Sequence, residues 1–153
     1  MFPRFSILFL LSLWFTSPVA LFSQEVETWD VTQLLGLTPP QAMEILGIPT
    51  EIYPLKVTET QWQPILYYPK NIYLFLHQNR VWQLRLDNRY TEAFQGIKMG
   101  MGKLEIVELM GPPLGEEETF LIYNLKYKNF PRRLRLILSE GKLTDIFVYR
   151  SDF

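Results

Sequence analysis

Cysteine is absent from the 153-residue chain, and histidine occurs only once, as His77. The lack of cysteine excludes disulfide bonds, thiolate catalysis, thiolate metal sites and a lipid-modified cysteine at a signal cleavage site. With a single histidine, a zinc site would have to take its other ligands from carboxylates, which is an unusual donor set. The sequence therefore predicts no metal, no cofactor and no lipid anchor.

A surplus of basic residues is also missing. Lys and Arg together number 15 against 16 Asp and Glu, which gives a formal net charge of −1. Nucleic-acid-binding proteins normally carry a basic excess, so the composition argues against a nucleic-acid partner. Hydrophobic residues make up 48% of the chain, which is enough for a folded core. A chain of this length fits one domain, or two small halves that share a core.

Long apolar runs are confined to the N-terminus. Arg4 precedes an apolar stretch, a break at residues 16–18 and a short segment that ends at Ser23. This order is typical of a secretory signal peptide. We therefore expect residues 1–23 to be cleaved after Ser23, leaving a periplasmic or secreted protein. Cleavage after Ala20 and an uncleaved membrane anchor are the alternatives.

Motifs for catalysis are absent as well. The sequence contains no Gly-x-Ser-x-Gly elbow, no His-Glu-x-x-His motif, no phosphate-binding glycine loop and no calcium loop. His77 lies at a predicted hairpin bend, and the glutamates at residues 116–118 are typical of a solvated connection. No catalytic residue is predicted, and we do not expect an enzyme.

A pattern of turn residues occurs twice along the chain, with an offset of 64 positions. Residues 36–49 align with residues 100–113, and their apolar positions agree better than their identities. Each copy predicts a short helix with a capping residue at its start and a glycine at its end: Thr38 and Gly47, and Gly102 and Gly111. Runs typical of strands follow, at residues 63–68, 72–76, 80–87, 119–123, 133–138 and 142–149.

These elements predict an α+β fold of two tandem repeats. Each repeat would be a short helical element packed on a three- to four-stranded antiparallel sheet. The first would span residues 24–88 and the second residues 89–153. Each half is too small to fold well alone, so we expect one compact unit. Two unrelated hairpins are the alternative.

Loop length decides which side chains of a hairpin share a face. Three-residue loops, with Asn79 and Gly141 in the left-handed conformation, bring the apolar residues of each hairpin to one face. The second loop also sets Arg135 opposite Asp145. The predicted apolar face contains Ile72, Leu74, Leu76, Trp82, Leu84, Leu86, Leu134, Leu136, Leu138, Ile146 and Val148.

The opposite face mixes aromatic and basic side chains, together with Val81 and Leu143. Six residues on it are predicted to bind a partner: Tyr73, Phe75, Arg85, Arg135, Phe147 and Tyr149. Aromatic residues and arginine dominate the energetics of protein–protein interfaces. We therefore expect this face of a monomer to contact another envelope or secreted protein. Alternatively, the other half or Trp62 and the long loops cover it.

The run at residues 100–113, with its fainter copy at residues 36–49, resembles the tandem module of the secreted β-lactamase inhibitor proteins. It is also similar to the outer-membrane assembly proteins of the SmpA/OmlA (BamE) family. The resemblance covers residues 36–149 and implies a non-enzymatic, protein-binding role in the bacterial envelope. The outer-membrane members are lipoproteins, whereas this chain has no cysteine to acylate. No binding residue of those families maps onto it.

The sequence therefore predicts an exported, non-enzymatic protein-binding module of the bacterial cell envelope. It would dock a protein partner through the aromatic and basic face of its sheet. Two alternatives belong to other classes of protein: an envelope structural or assembly factor of an outer-membrane complex, and a small-molecule carrier.

Export can be tested by fractionation. Bacteria that express the full chain should contain a shortened form outside the cytoplasm, because a signal peptide is removed during export. A control chain that starts at residue 24 after an initiating methionine should stay in the cytoplasm. A full-length cytoplasmic product of the intact gene would contradict the prediction.

Overall fold

The structure is a computed structural model that describes residues 30–126 and 129–152. The predicted signal peptide at residues 1–23 lies outside the described residues. Within those two ranges, none of the helices has the length and apolar character needed to span a membrane.

Two short α-helices begin where the capping residues predict. They are α1 (Pro39–Leu46) and α2 (Lys103–Met110). The backbone N–H of Thr38 donates to Gln41 Oε1 at 3.0 Å, and that of Gly102 donates to Glu105 Oε2 at 2.5 Å. Each helix therefore closes one half of a capping box through the side chain of its third residue. A 3₁₀ helix, Val31–Leu34, precedes α1.

Both α-helices end at the glycines that the sequence indicates. Gly47 has φ +79° and ψ −164°, and Gly111 has φ +81° and ψ −171°. This combination of positive φ and extended ψ is accessible almost only to glycine. The glycines thus turn the chain sharply away from each helix and into the sheet.

Eight strands form one antiparallel sheet in the order β1-β2-β3-β4-β8-β7-β6-β5. The strands are β1 (Glu51–Lys56), β2 (Trp62–Tyr68), β3 (Ile72–His77), β4 (Arg80–Leu86), β5 (Gly115–Glu116), β6 (Phe120–Leu125), β7 (Arg132–Ser139) and β8 (Lys142–Arg150). The six predicted strands are present with small changes at their ends, and the two edge strands, β1 and β5, were not predicted.

The prediction of two tandem repeats, each with its own helix and small sheet, is wrong. Strands β4 and β8 pair directly at four positions, so the two groups of strands merge into one eight-stranded sheet. Each helix has a single fully buried residue, Ala42 in α1 and Ile106 in α2. Helices that bury so little cannot each complete an independent unit. The division at residues 24–88 and 89–153 stays a prediction.

The hydrophobic core lies on one face of the sheet. Alternate residues of the central strands point into it, and Leu74, Leu84, Leu134 and Leu136 have no exposed surface. The 3₁₀ helix, both α-helices and the connection between β4 and α2 contribute the opposing apolar side chains, which include Leu34, Ala42, Phe94, Ile97 and Ile106. The sheet therefore has one covered face and one face that these elements leave open.

The two long hairpins use two-residue turns, so the predicted three-residue loops are wrong. Residues 78–79 and 140–141 have positive φ at both positions, as a type I′ turn requires. A β-bulge follows each turn, where the register shifts between β3 and β4 and between β7 and β8. The extra residue of the bulge restores the side-chain alternation that the shorter turn would have reversed.

These bulges move two apolar residues into the core. Val81 and Leu143, predicted to lie on the opposite face, are 0% and 2% exposed. Strict alternation fails at a bulge because one strand carries two residues opposite one residue of its neighbour. Trp82, predicted to be in the core, is only half-buried for the same reason.

Substitution of Gly111 tests whether backbone conformation ends α2. A Cβ at this position would have nothing within 4 Å, so only the backbone strain of positive φ opposes Gly111→Ala. We expect a loss of about 1–3 kcal/mol in the free energy of unfolding, measured by chemical denaturation.

Gly115→Ala is the matched control. Its backbone is not in the positive-φ region, and the new Cβ would lie 3.8 Å from the nearest side chain, which is an ordinary contact. This variant should unfold almost as the parent does. Equal stability of the two variants would contradict the assigned end of α2.

Candidate functional site

The face of the sheet opposite the core carries two neighbouring rows of side chains, which we call the open face. The central row crosses the strands through Tyr67, Tyr73, Arg85, Phe147 and Arg135. The adjacent row runs through Ile65, Phe75, Gln83, Tyr149 and Arg133. All six residues predicted to bind a partner therefore lie on one face, in two adjacent rows.

Arg85 occupies the middle of the central row. Its guanidinium carbon lies 5.3 Å from the ring centroid of Tyr73 and 5.8 Å from that of Phe147. Both rings belong to residues directly opposite Arg85, one on each neighbouring strand. The arginine thus makes cation–π contacts on both sides, and its alkyl stem lies among aromatic rings.

Asp145 neutralises Arg85, and the predicted pairing of Asp145 with Arg135 is wrong. Arg85 Nε donates to Asp145 Oδ1 at 2.6 Å. The two-residue turn and the bulge displace the predicted register of β7 and β8 by two positions. Arg135 consequently lies opposite Phe147, and Asp145 lies opposite Ile137.

Arg135 and Arg133 are exposed on β7. The guanidinium carbon of Arg135 lies 4.4 Å from the ring centroid of Phe120 on β6. Within the described part of the chain, no carboxylate forms an ion pair with either arginine. Because the charges of Arg85 and Asp145 cancel, the β7 side of the open face keeps the two positive charges of Arg133 and Arg135. The protein as a whole has a formal net charge of −1.

Tyr73 also anchors the connection that leaves β4. Its hydroxyl donates to Asp87 Oδ2 at 2.9 Å and accepts from Arg89 Nη2 at 2.8 Å. Burial raises the pKa of Tyr73, and the hydrogen bond to Asp87 raises it further. This network holds the Tyr73 ring in place beside Arg85.

Two opposing effects act on the pKa of Asp87, a buried carboxylate. Burial alone would raise its pKa, but hydrogen bonds from Arg89 and Tyr73 lower the pKa below its ordinary value. A carboxylate whose pKa is lower in the folded state stabilises the fold above the unfolded-state pKa. That contribution is lost as the pH falls through the folded-state pKa.

The alternative prediction, that the second half of the chain covers this face, does not describe the arrangement of the strands. β8 continues the sheet beside β4 rather than above it. Phe75, Phe147 and Tyr149 are nevertheless only half-exposed, because neighbouring side chains in the two rows shield them. The open face is thus a partly shielded aromatic layer with arginines at its surface.

Two aromatic residues of this layer were not predicted. The ring of Tyr67 lies 4.8 Å from that of Tyr73, and Phe120 lies beneath Arg135. The alternation of β2 would have assigned Tyr67 to this face. The register between β6 and β7 has no comparable signal in the sequence, because six residues separate the two strands and no tight-turn motif fixes how they pair.

The described residues contain no group of three or more His, Asp or Glu side chains that could hold a metal ion. His77, the single histidine, has its Nδ1 2.9 Å from Gln63 Nε2. It lies in β3 next to the turn, where the sequence predicted a hairpin bend.

The fold is similar to that of an extracellular protein containing an SCP domain from Bacillus anthracis str. Ames, with a TM-score of 0.53. The two chains share 10% sequence identity, and the match covers 83% of this chain and 47% of that chain. This chain therefore corresponds to about half of that protein's length. At such low identity the likeness concerns the fold alone. No protein-family model matches the sequence, and no curated protein sequence matches it.

The resemblance to the β-lactamase inhibitor proteins and the SmpA/OmlA (BamE) family is therefore wrong. The structural similarity is to the SCP-domain protein, and the described residues form one eight-stranded sheet with two small helices. The motif behind the resemblance consists of turn and capping residues such as Gly47 and Gly111. Many unrelated helices end in glycine, so such residues carry little family information.

Replacement of Arg85 tests its central position. We expect Arg85→Ala to lower the free energy of unfolding by about 1–2 kcal/mol in chemical denaturation, because it removes two ring contacts and an ion pair. It also leaves Asp145, whose side chain is 18% exposed, without its counter-charge.

Arg135→Ala is the matched control on the same row. Arg135 is exposed and has a single ring contact, so this change should cost less than about 1 kcal/mol. If Arg135→Ala destabilised the protein as much as Arg85→Ala, the central role of Arg85 in this layer would be refuted.

Proposed function

We propose that this chain is an exported, non-enzymatic binding module that docks an acidic surface of a protein partner through its open face. The observation that carries the proposal is the arrangement of Arg85 between two aromatic rings, next to two exposed arginines that form no ion pair with any described carboxylate. Arginine and aromatic residues provide most of the binding energy at protein interfaces.

The roles of the arginines differ. Arg85 is neutralised by Asp145, so it would contribute shape and apolar contact in the middle of the interface. Arg133 and Arg135 would supply the charge, because each can bind a carboxylate with two parallel hydrogen bonds. Phe75, half-exposed in the adjacent row, would extend the apolar centre.

Export rests on two supports. The apolar N-terminal stretch after Arg4 is typical of a signal peptide, and cleavage after Ser23 would place the mature protein in the periplasm or outside the cell. The SCP-domain protein that shares the fold is described as extracellular. Both observations are compatible with a monomeric envelope protein that binds another envelope or secreted protein.

Charge reversal on β7 tests the docking surface. The mature chain immobilised on beads should capture a specific protein from envelope extract, and Arg133→Glu/Arg135→Glu should reduce that capture about tenfold or more. Added salt should weaken the wild-type capture, because exposed charges are screened.

The control variant is Lys98→Glu/Lys142→Glu, which makes the same change in net charge at exposed positions outside the two rows. It should capture the partner as the wild type does. Equal loss in both double variants would show only a general effect of charge. Unchanged capture by the β7 variant would refute docking through the open face.

A further inference from the structure

A second candidate site lies at the end of the sheet, around the exposed Trp62 at the start of β2. Two clefts meet at this residue and share Trp62, Gln63 and Pro64 as lining. One cleft, of about 410 Å³, extends toward the turn between β3 and β4. The other, of about 310 Å³, extends along β1 past Tyr53. Both volumes lie in the range of about 300–1,000 Å³ that is usual for small-ligand sites.

Trp62 provides a flat apolar surface between the two clefts. Trp62 is an exposed residue, with 56% of its surface accessible to solvent. The ammonium group of Lys56 lies 5.9 Å from the ring centroid, which helps to orient the indole. Exposed aromatic rings of this kind are not needed for the core, which lies elsewhere on the sheet.

Side-chain amides surround the larger cleft. Gln61, Gln78 and Asn79 line it, and within the described part of the chain their amide groups form no hydrogen bonds. Gln63 is fixed by its contact with His77. Each amide offers both a donor and an acceptor, which is the combination that a hydroxyl group matches. None of the described residues that line the two clefts is Asp, Glu, Lys or Arg.

We propose that these adjoining clefts bind a saccharide of at least two sugar units. The apolar C–H face of a pyranose ring would stack on Trp62, and its hydroxyl groups would exchange hydrogen bonds with the amides of Gln61, Gln78 and Asn79. A lipid tail would leave these amides without partners, and a cationic ligand would find no counter-charge and would face the ammonium group of Lys56 beside Trp62. This site is distinct from Arg133 and Arg135 and goes beyond the proposed function.

The test uses protein purified after expression of the full chain, with cellobiose and N,N′-diacetylchitobiose as probes. Titration followed by NMR should shift the indole N–H resonance of Trp62, with a Kd of about 0.1–10 mM for at least one probe. Trp62→Ala should weaken binding about tenfold or more, and Trp62→Phe should restore part of it because a ring remains. The Gln61→Ala variant should weaken binding without changing the fold, since this residue lies in an exposed loop.

Two control variants keep the result specific. Leu104→Ser removes an apolar side chain that is 78% exposed on α2, and Arg133→Glu/Arg135→Glu alters the open face. Both should bind the probes as the wild type does. The proposal is overturned if neither disaccharide shifts the Trp62 resonance. It is also overturned if Trp62→Ala, with the remaining spectrum unchanged, binds as tightly as the parent.

Discussion

The pairing of β4 with β8 is the contact on which the rest of the structure depends. It sets Leu84 beside Val148 on the core face and Arg85 beside Phe147 on the open face. Without it, each group of four strands would end in an unpaired edge and a short helix would cover little of its apolar surface. With it, one core extends across both groups, and the aromatic and basic rows run without interruption from β2 to β7.

The two β-bulges attach the helical segments to this sheet. The N–H of Val81 donates to the carbonyl of Leu37 at 2.8 Å, just before α1. The N–H of Leu143 donates to the carbonyl of Met101 at 2.9 Å, just before α2. A bulge frees backbone groups from the ladder and turns its residue toward the core, so each bulge supplies a hydrogen bond and a buried side chain at the same place. The helices can therefore be held in position although each buries so little.

Local patterns in the sequence located both helices and six of the strands, but the two-residue turns and the bulges that follow them were predicted wrongly. Capping residues and glycines located both helices, and two-residue alternation placed the six candidate residues on one face. Features that depend on contacts distant in sequence were missed as well. Arg85 and Asp145 are 60 positions apart, and no local signal pairs β4 with β8. β1 was missed because Pro54 in its middle weakens the pattern expected of a strand, and β5 because it has two residues.

The chemical character of the open face depends on which of its arginines are neutralised by a carboxylate. Arg85 is held by Asp145 and by two rings, so its side chain would lose little further freedom on binding the proposed partner. Arg135 keeps its charge while its guanidinium rests on Phe120, which limits its motion without neutralising it. A surface of this kind presents positive charge in an ordered arrangement over a partly shielded apolar layer. Its electrostatic attraction would guide an acidic partner, and the rings beneath would supply the contact area that charge alone does not.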